Sequence, residues 1–324
     1  MNRPSSKNGA LLAPWSFVHV ADMHVGTPRS YRFQPAWNEN WAVARDQILE
    51  LEPDLLLVGG DMTRDGSTHR LELETVKHDL DRLPFPAHVI PGNHEVGNKF
   101  EPDSPVAIQP DHLRLYRSVF GASCWSFLHK GVRFSGFDAF LLGSGLPEEA
   151  HLRDWLQRQT EEPQERHNIW MIHPALFADR PDEPDWDRVT HRVEWYFVLD
   201  GDHRNTLLET FRRAGATHVI TSHIHCRREA ELDGLQISFS PATAFPQWGE
   251  RWPDGDPRLG FLHFTVSESG IEKRFVPLRS LSTRNGYGPG GNPGLRGRDY
   301  SHAWEQPPLD VEENRLPAGS PKRH

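Results

Sequence analysis

Five short apolar runs of the β type each end in residues that commonly bind metal ions. Loops at the carboxyl ends of parallel strands open onto one crevice of an α/β sheet. If these runs lie side by side and parallel, all five endings therefore face the same pocket. The endings are Asp22-Met23-His24 after 17–21, Gly59-Gly60-Asp61 after 55–58, Pro91-Gly92-Asn93-His94-Glu95 after 87–90, His173-Pro174 after 168–172, and Ser222-His223-Ile224-His225 after 217–221.

The side chains in these endings predict a site for two metal ions. They include two aspartates, one asparagine and four histidines, with no thiolate, a set that favours divalent transition metals such as Mn, Fe or Zn. So many ligands exceed what one ion in an open catalytic site binds, whereas two ions ~3.5–4 Å apart can share a carboxylate. Asp61 lies centrally in the order and is the expected bridge. The candidate ligands are Asp22, His24, Asp61, Asn93, His173, His223 and His225.

The order of the predicted elements favours an α/β fold. Strands and amphipathic helices alternate up to residue 221, and three strands with no helix between them follow. Such a chain can fold as two stacked sheets with helices outside. Residues 15–280 are predicted to form one domain, preceded by a loose N-terminal arm, 1–14. The tail, 281–324, holds 13 glycine and proline residues among 44, a composition typical of disordered segments.

The charge balance argues against a nucleic-acid partner. Acidic residues, 45 in number, exceed the 36 lysines and arginines, whereas phosphate backbones select basic surfaces. No run approaches the ~18–20 apolar residues of a membrane span. Because the first residues lack a signal-peptide core and only two cysteines occur, we expect a cytoplasmic protein without membrane contact.

The segment 177–203 carries eight acidic residues against three arginines. It indicates a long insertion between a strand and a helix, and such loops often contribute to function. The alternative is a solvated surface loop. If the segment overhangs the site, its charge would repel long polyanionic substrates.

The metal-binding endings resemble, in their order, the motifs of the calcineurin-like metallophosphoesterase superfamily. The resemblance implies a four-layer α/β/β/α sandwich of two mixed sheets flanked by helices. It also implies that His94 faces the scissile phosphate as general acid and binds no metal. The chain departs from the family pattern at Ser222, where the last motif usually opens with glycine. The implied ligand sets are Asp22, His24, Asp61 and His225 for one ion, and Asp61, Asn93, His173 and His223 for the other.

The resemblance implies a dinuclear hydrolase of phosphate esters, in which a metal-bridging hydroxide attacks phosphorus in line. The Asp-x-His opening is similar to that of small phosphodiesterases such as those acting on cyclic nucleotides. Residues 196–225 are instead similar to phosphatases of phosphoproteins, so a phosphodiester and a phosphomonoester both stay open as substrates. The alternative function is a non-catalytic metal-binding scaffold in protein–protein interaction, although such proteins typically lose ligands or the catalytic histidine.

Three further residues near the endings have expected roles. Arg29 and Arg64 follow two ligand loops and are candidate phosphate-binding residues, because a guanidinium can grip a phosphate with two hydrogen bonds. Glu95 is expected to bond to a ligand loop rather than to a metal ion.

Overall fold

The computed structural model describes residues 13–102, 104–246 and 251–284, which form two mixed β-sheets with flanking helices. A short 3₁₀ helix, Ala139–Leu141, follows the fifth strand. The elements, in chain order, are β1 (Trp15–Val20), α1 (Pro35–Leu51), β2 (Leu55–Val58), α2 (Arg70–Asp81), β3 (Ala87–Val89), α3 (Asn93–Val96), α4 (Pro110–Phe120), β4 (Cys124–His129), β5 (Val132–Phe137), α5 (Pro147–Gln159), β6 (His167–Met171), α6 (Arg192–Phe197), α7 (Gly201–Arg213), β7 (His218–Thr221), β8 (Arg228–Leu232), β9 (Leu235–Phe239), β10 (Gly260–Ser267) and β11 (Gly270–Pro277).

The five runs that carry metal-binding endings divide between the two sheets. The first sheet has the order β11-β10-β1-β2-β3, with β1, β2 and β3 parallel. The second has the order β4-β5-β6-β7-β9-β8, with β6 and β7 parallel. The five runs therefore do not all lie side by side in one sheet, although that was the simplest arrangement considered from the sequence. Their endings still meet, because the two sheets bring these carboxyl ends together: His173 Nδ1, after β6, lies 2.7 Å from the carbonyl oxygen of Gly59, after β2.

Four of the strands that lead to the site, β1, β2, β6 and β7, are mostly buried, whereas β3 is half-buried. Phe17 of β1 stacks on Phe264 of β10 at 4.5 Å and meets Phe134 of the second sheet edge to face at 5.1 Å. These rings belong to the core layer between the sheets. Neighbouring positions such as Val18 and Trp170 instead belong to the larger core shared with α1, α2, α5 and α7. This arrangement confirms the sandwich of two mixed sheets flanked by helices.

The hydrophobic pattern of the sequence did not predict two strands of the second sheet, β4 and β8. Both lie at the edges of that sheet. β8 has the sequence Arg-Glu-Ala-Glu-Leu, and charged side chains are typical of edge strands because they discourage pairing with another chain. β4 is mostly half-buried along its length, so its residues show no clear alternation between core and solvent.

The acidic segment 177–203 is mostly exposed over 179–192, apart from the buried Glu183, and packs against the domain over 193–201. It contains α6, and both Trp195 and Phe197 of that helix are buried. Basic residues from outside or beside the segment neutralise several of its carboxylates, which reduces the expected repulsion of polyanions. The pairs are Asp179 and Glu194 with Arg251, Glu183 with Arg204, and Asp200 with Lys99.

The two predicted ends of the chain fall mostly outside the described residues, which leave out 1–12 and 285–324. The first residues of the predicted tail contact α1, where the Ser282 amide donates to Asn40 Oδ1 at 2.9 Å. Within the described ranges, no helix combines the length and apolar character needed to cross a membrane.

Candidate metal centre

The predicted ligands lie on tight loops after the strands, except Asn93, which is the first residue of the short helix α3. Five of them adopt positive φ, a conformation that residues other than glycine rarely adopt and that costs about 1–3 kcal/mol each. Such strained residues persist only where the surrounding structure holds them, and they cluster at functional sites. The five are Asp22 (φ 53°), His24 (47°), Asp61 (47°), His223 (74°) and His225 (50°).

Two glycines let the loops approach one another closely. A Cβ atom at Gly92 would lie 2.2 Å from both the amide nitrogen and Oδ1 of Asp61. Gly60 has a φ of +94°, and a Cβ atom there would lie 2.6 Å from His173 Nδ1. Larger residues at these positions would push the loops apart.

The structure brings all the predicted ligands into one buried cluster, with Asp61 at its centre. Asp61 Oδ2 lies 3.3 Å from His173 Nε2, 3.7 Å from His24 Nε2 and 3.9 Å from His223 Nδ1. Donor atoms fall into two groups, each within 4.8 Å, and Asp61 belongs to both, as a bridging carboxylate must. The groups are Asp22, His24, Asp61 and His225, and Asp61, His173 and His223.

Backbone carbonyls fix the outer nitrogens of three of the imidazoles. Gly59 accepts from His173 Nδ1 at 2.7 Å, and Phe245 accepts from His225 Nδ1 at 2.8 Å. His223 is held the other way round, with Nε2 3.2 Å from a carbonyl oxygen on α6. A carbonyl oxygen accepts only, so each outer nitrogen carries a proton and each neutral ring directs a lone pair at the cluster.

The inner nitrogens lie close together, and in one of the two pairs this closeness requires a positive charge between them. His173 Nε2 is 3.2 Å from His223 Nδ1, and His24 Nε2 is 3.2 Å from His225 Nε2. His173 and His223 both direct lone pairs inward, and these repel one another unless a proton or a metal ion lies between them. His24 Nδ1 has no hydrogen-bond partner among the described residues, so a neutral His24 can instead donate from Nε2 to His225. The buried Oδ1 of Asp22, which has no hydrogen-bond donor, adds an unsatisfied negative atom. The donor set therefore fits divalent cations.

The side-chain amide of Asn93 lies beside the second group. Its Oδ1 faces the two carboxylate oxygens of Asp61, both at 3.2 Å, and His223 Nδ1 at 3.1 Å. All of these atoms are hydrogen-bond acceptors when His223 is neutral. The amide is therefore placed to reach these acceptors through Nδ2, or a cation among them through Oδ1.

When no ion is bound, a proton on His173 balances part of the negative charge of the cluster. Burial disfavours the imidazolium of His173, but Asp61 and Asp22 outweigh burial and raise the pKa of His173 to about 9. Burial also disfavours the carboxylate of Asp61, but His173 and His94 hold its pKa well below the usual range. Burial and neighbouring imidazoles lower the pKa of His24 and His223.

Metal binding at neutral pH is expected to release about one proton per chain, because a ligand imidazole must be neutral. His173 holds this proton below pH 9. Affinity of the second group should therefore rise between pH 7 and pH 9, by up to about tenfold per pH unit, and level off above. Titration calorimetry with Mn²⁺ in buffers of different ionisation enthalpy measures the release. The His173→Ala variant is the matched control and should lack it; wild-type binding at pH 7 without proton release would contradict the assignment.

His94 lies beside the cluster and outside both donor groups. Its Nδ1 is 2.6 Å from the carbonyl oxygen of Arg64, and its Nε2 is 3.9 Å from Asp61 Oδ2. The ring lines a cleft together with Asn93 and Tyr196. Nε2 is therefore the His94 nitrogen directed towards the cluster, where a substrate would be held.

The arginines and Glu95 have different positions around the site. Arg64 lines the same cleft, and its Nε donates to the Tyr31 carbonyl at 2.7 Å. Arg29 lies in the turn after β1, where its amide donates to Thr27, and its part in phosphate binding stays a prediction. Glu95 accepts from the Gly92 amide at 2.8 Å, on a ligand loop as expected. Burial, and then the charge of Asp61, raise the pKa of Glu95 to about 8.

Tyr196 is a site residue that the motifs did not reveal. Its hydroxyl lies 3.0 Å from Asn93 Nδ2, and its ring centre lies 5.3 Å from that of His223. It comes from α6, within the acidic segment. The signal in the sequence was the aromatic triplet Trp195-Tyr196-Phe197, which is unusual in an otherwise charged stretch.

Comparison with known proteins agrees with this geometry. Residues 16–227, which include every loop of the cluster, match the family model of the calcineurin-like phosphoesterases. The sequence is 26% identical to the serine/threonine-protein phosphatase CPPED1 of Danio rerio over 294 residues, covering 84% of this chain and 87% of that protein.

Solved structures show the same fold at low identity. A dimetal phosphatase from Danio rerio matches with a TM-score of 0.52 and 14% identity, over 82% of this chain and 99% of that chain. The purple acid phosphatase PPD1 of yellow lupin (Lupinus luteus) matches with a TM-score of 0.58 and 12% identity, over 84% of this chain and 53% of that chain. The family model and the phosphatase relative support hydrolysis of phosphate esters, and the buried cluster suggests divalent metal ions. The chain belongs to the calcineurin-like phosphoesterase family.

Proposed function

We propose that the protein is a dinuclear phosphatase that hydrolyses phosphomonoesters, with two divalent transition-metal ions (Mn, Fe or Zn) in the buried cluster. The observation that carries this proposal is the membership of Asp61 in both donor groups. Asp22, His24, Asp61 and His225 would hold the first ion. Asp61, Asn93, His173 and His223 would hold the second.

The chain orients these ligands before any ion arrives. Two such ions, when bound, supply Lewis acidity that activates water near neutral pH and offsets charge on a phosphoryl group. The carbonyl oxygens of Gly59 and Phe245 hold His173 and His225 in the required tautomers. Burial of the cluster excludes bulk water and strengthens every electrostatic interaction within it.

His94 would move the proton that the reaction needs. Its Nε2 faces the cluster and is placed to give a proton to the departing alkoxide oxygen of the substrate. The Arg64 carbonyl, 2.6 Å from Nδ1, fixes the ring in this orientation. A general acid must lie within hydrogen-bond reach of the leaving group, and His94 is on the wall of the cleft where that group would leave.

Arg64 is the stronger of the two arginine candidates for binding the phosphoryl group. Arg64 lines the cleft with His94, and its guanidinium carbon lies 5.5 Å from the Trp37 ring centre and 5.7 Å from that of Tyr31. These aromatic contacts and the bond from Nε hold the guanidinium in place, so less entropy is lost when it binds an anion. Arg29 stays a candidate on its sequence position alone.

The substrate class rests on the similarity to CPPED1, which is named a serine/threonine-protein phosphatase and is similar over most of both chains. We therefore place a phosphomonoester, such as a phosphoserine or phosphothreonine side chain, ahead of a phosphodiester. Pairing of the carboxylates near α6 with Arg251 and Lys99 removes an obstacle to binding an anionic peptide.

A metal-reconstituted activity panel tests this proposal. Protein loaded with Mn²⁺, Fe²⁺ or Zn²⁺ is assayed with an aryl phosphate monoester, a bis-aryl phosphodiester, 3′,5′-cyclic AMP and a phosphoserine peptide. We expect the two monoesters to have the higher kcat/KM. Faster hydrolysis of the diesters would reverse the substrate assignment. Inactivity on all four substrates with two ions bound would favour the scaffold function, which the presence of every ligand and of His94 argues against.

A further inference from the structure

Tyr196 contacts two predicted ligands of the second ion at once. Its carbonyl oxygen lies 3.2 Å from His223 Nε2, and its hydroxyl lies 3.0 Å from Asn93 Nδ2. The carbonyl fixes which nitrogen of His223 faces the cluster. The hydroxyl contacts the group that must turn its oxygen towards the ion. Partners behind metal ligands commonly set ligand orientation and metal affinity.

The orientation of the Asn93 amide depends on what surrounds it. Turning it by 180° would direct Nδ2 at Asp61 and at His223 Nδ1, and Oδ1 at the hydroxyl of Tyr196. Without a cation, that alternative pairs donors with acceptors and is the better satisfied. With a cation in the second group, only the orientation with Oδ1 inward supplies a ligand. The Asn93 amide can therefore adopt two orientations that occupy the same space. The groups around it, a cation on one side and the Tyr196 hydroxyl on the other, determine which one it adopts.

The Tyr196 hydroxyl has one proton to donate, so donating it to a second group leaves the hydroxyl oxygen to accept from Asn93. Tyr196 and Asn93 line the same cleft as His94 and Arg64. If the Tyr196 proton is donated to an anionic oxygen in this cleft, the hydroxyl accepts from Asn93 Nδ2, and Oδ1 then faces the ion. If the proton is donated to Asn93 instead, the amide oxygen turns away from the ion.

We propose that Tyr196 is a positioning residue that couples the bound phosphoryl group to the second metal ion. Its O–H donates to a phosphoryl oxygen, and its hydroxyl oxygen accepts from Asn93 Nδ2. Phosphate in the cleft thus favours the metal-binding orientation of Asn93. This inference rests on the proposed dinuclear function.

The surroundings of Tyr196 hold its backbone in place for this role. Asn98 Nδ2 donates to the Tyr196 carbonyl at 3.3 Å. The next residue, Phe197, is buried, and its carbonyl accepts from the Ala175 amide at 3.1 Å. At the start of α6, Glu194 pairs with Arg251. The acidic segment therefore places the Tyr196 hydroxyl at the site from a helix whose backbone is held in position.

Tyr196→Phe tests the hydroxyl alone, because it keeps the ring beside His223 and the carbonyl that His223 contacts. Mn²⁺ is titrated into apoprotein by calorimetry, with and without saturating inorganic phosphate. We expect the Kd of the second ion to rise about 10–100-fold, the range found when partners behind metal ligands are removed. The Kd of the first ion should not change. Phosphate should lower the Kd of the second ion in the wild type, and this decrease should be smaller in the variant.

Two further variants make the result specific. His225→Ala removes a donor of the first group only, so adding Tyr196→Phe to it reports on the second group alone. Tyr116→Phe is the matched control, because it removes a tyrosine hydroxyl on α4 that is buried outside the cleft, and it should leave both Kd values unchanged. Melting temperatures are recorded for all variants.

The possible results separate this inference from the function on which it rests. A selective loss at the second ion, together with a smaller effect of phosphate, supports the coupling role. Unchanged binding, an equal loss at both ions, or an unaltered effect of phosphate in Tyr196→Phe would overturn it. Wild-type protein that binds fewer than two Mn²⁺ ions, or hydrolyses no phosphate ester, would instead overturn the dinuclear function itself.

Discussion

Asp61→Ala is expected to abolish binding of both metal ions and to reduce kcat by at least about 10³-fold, since bound ions contribute several kcal/mol of transition-state stabilisation. The reason is geometric. Asp61 Oδ2 is within 4 Å of nitrogens from His24, His173 and His223, which belong to different donor groups. No other residue in the described part of the chain belongs to both groups.

Single-group variants provide the controls for Asp61→Ala. His225→Ala should lose the first ion and His173→Ala the second, so each should keep about one ion per chain. Metal content is measured by plasma mass spectrometry after reconstitution and desalting, and circular dichroism checks that each variant is folded. Two ions retained in Asp61→Ala would exclude a bridging role. Two ions lost in His225→Ala would show that the groups are not independent.

His94→Ala is expected to keep both ions and to lower kcat about 10²–10⁴-fold, the usual contribution of a positioned proton donor. Its imidazole is outside both donor groups, and its Nε2 points at the site from the wall of the cleft. The loss should be larger for an alkyl phosphate than for a 4-nitrophenyl phosphate, because nitrophenolate departs without protonation. This difference separates proton donation from simple charge stabilisation.

The matched control for His94→Ala is His88→Ala, which removes an imidazole that stacks on Phe127 at 4.0 Å and lies outside the cleft. Its kcat should be close to that of the wild type. Loss of a metal ion in His94→Ala would make His94 a ligand. An equal loss of kcat for alkyl and nitrophenyl substrates would remove the general-acid role.

The sequence predicted the fold class and the composition of the cluster from local features. Leu55–Val58 is a continuous apolar run, so it had to be a strand covered on both faces, and Asp61 follows its end. The edge strand Arg228–Leu232 was missed, because its charged residues carry no core pattern. The division of the five runs between two sheets was also missed, since no local pattern states which strands pair.

The insertion 177–203 shows a second kind of limit. Its acidic composition predicted either a functional loop or a solvated one, and a field that repels polyanions. The structure pairs Glu194 and Asp179 with Arg251, which is more than fifty residues away along the chain. Composition counts charges but does not state their partners. For the same reason, the contact between Tyr196 and Asn93, 103 residues apart, was beyond sequence patterns.

By itself, the sequence determined which donor atoms exist and that each follows a strand, because strand periodicity and loop composition are written within a few neighbouring residues. It also indicated Asp61 as the bridge, from its central place in the order. Only the tertiary structure decided which nitrogens of His173, His223 and His225 face inward, and that Tyr196 joins the site. Those features depend on carbonyls and hydroxyls brought from distant parts of the chain. A histidine tautomer or an amide orientation is fixed by its hydrogen-bond partner, and that partner is set by folding.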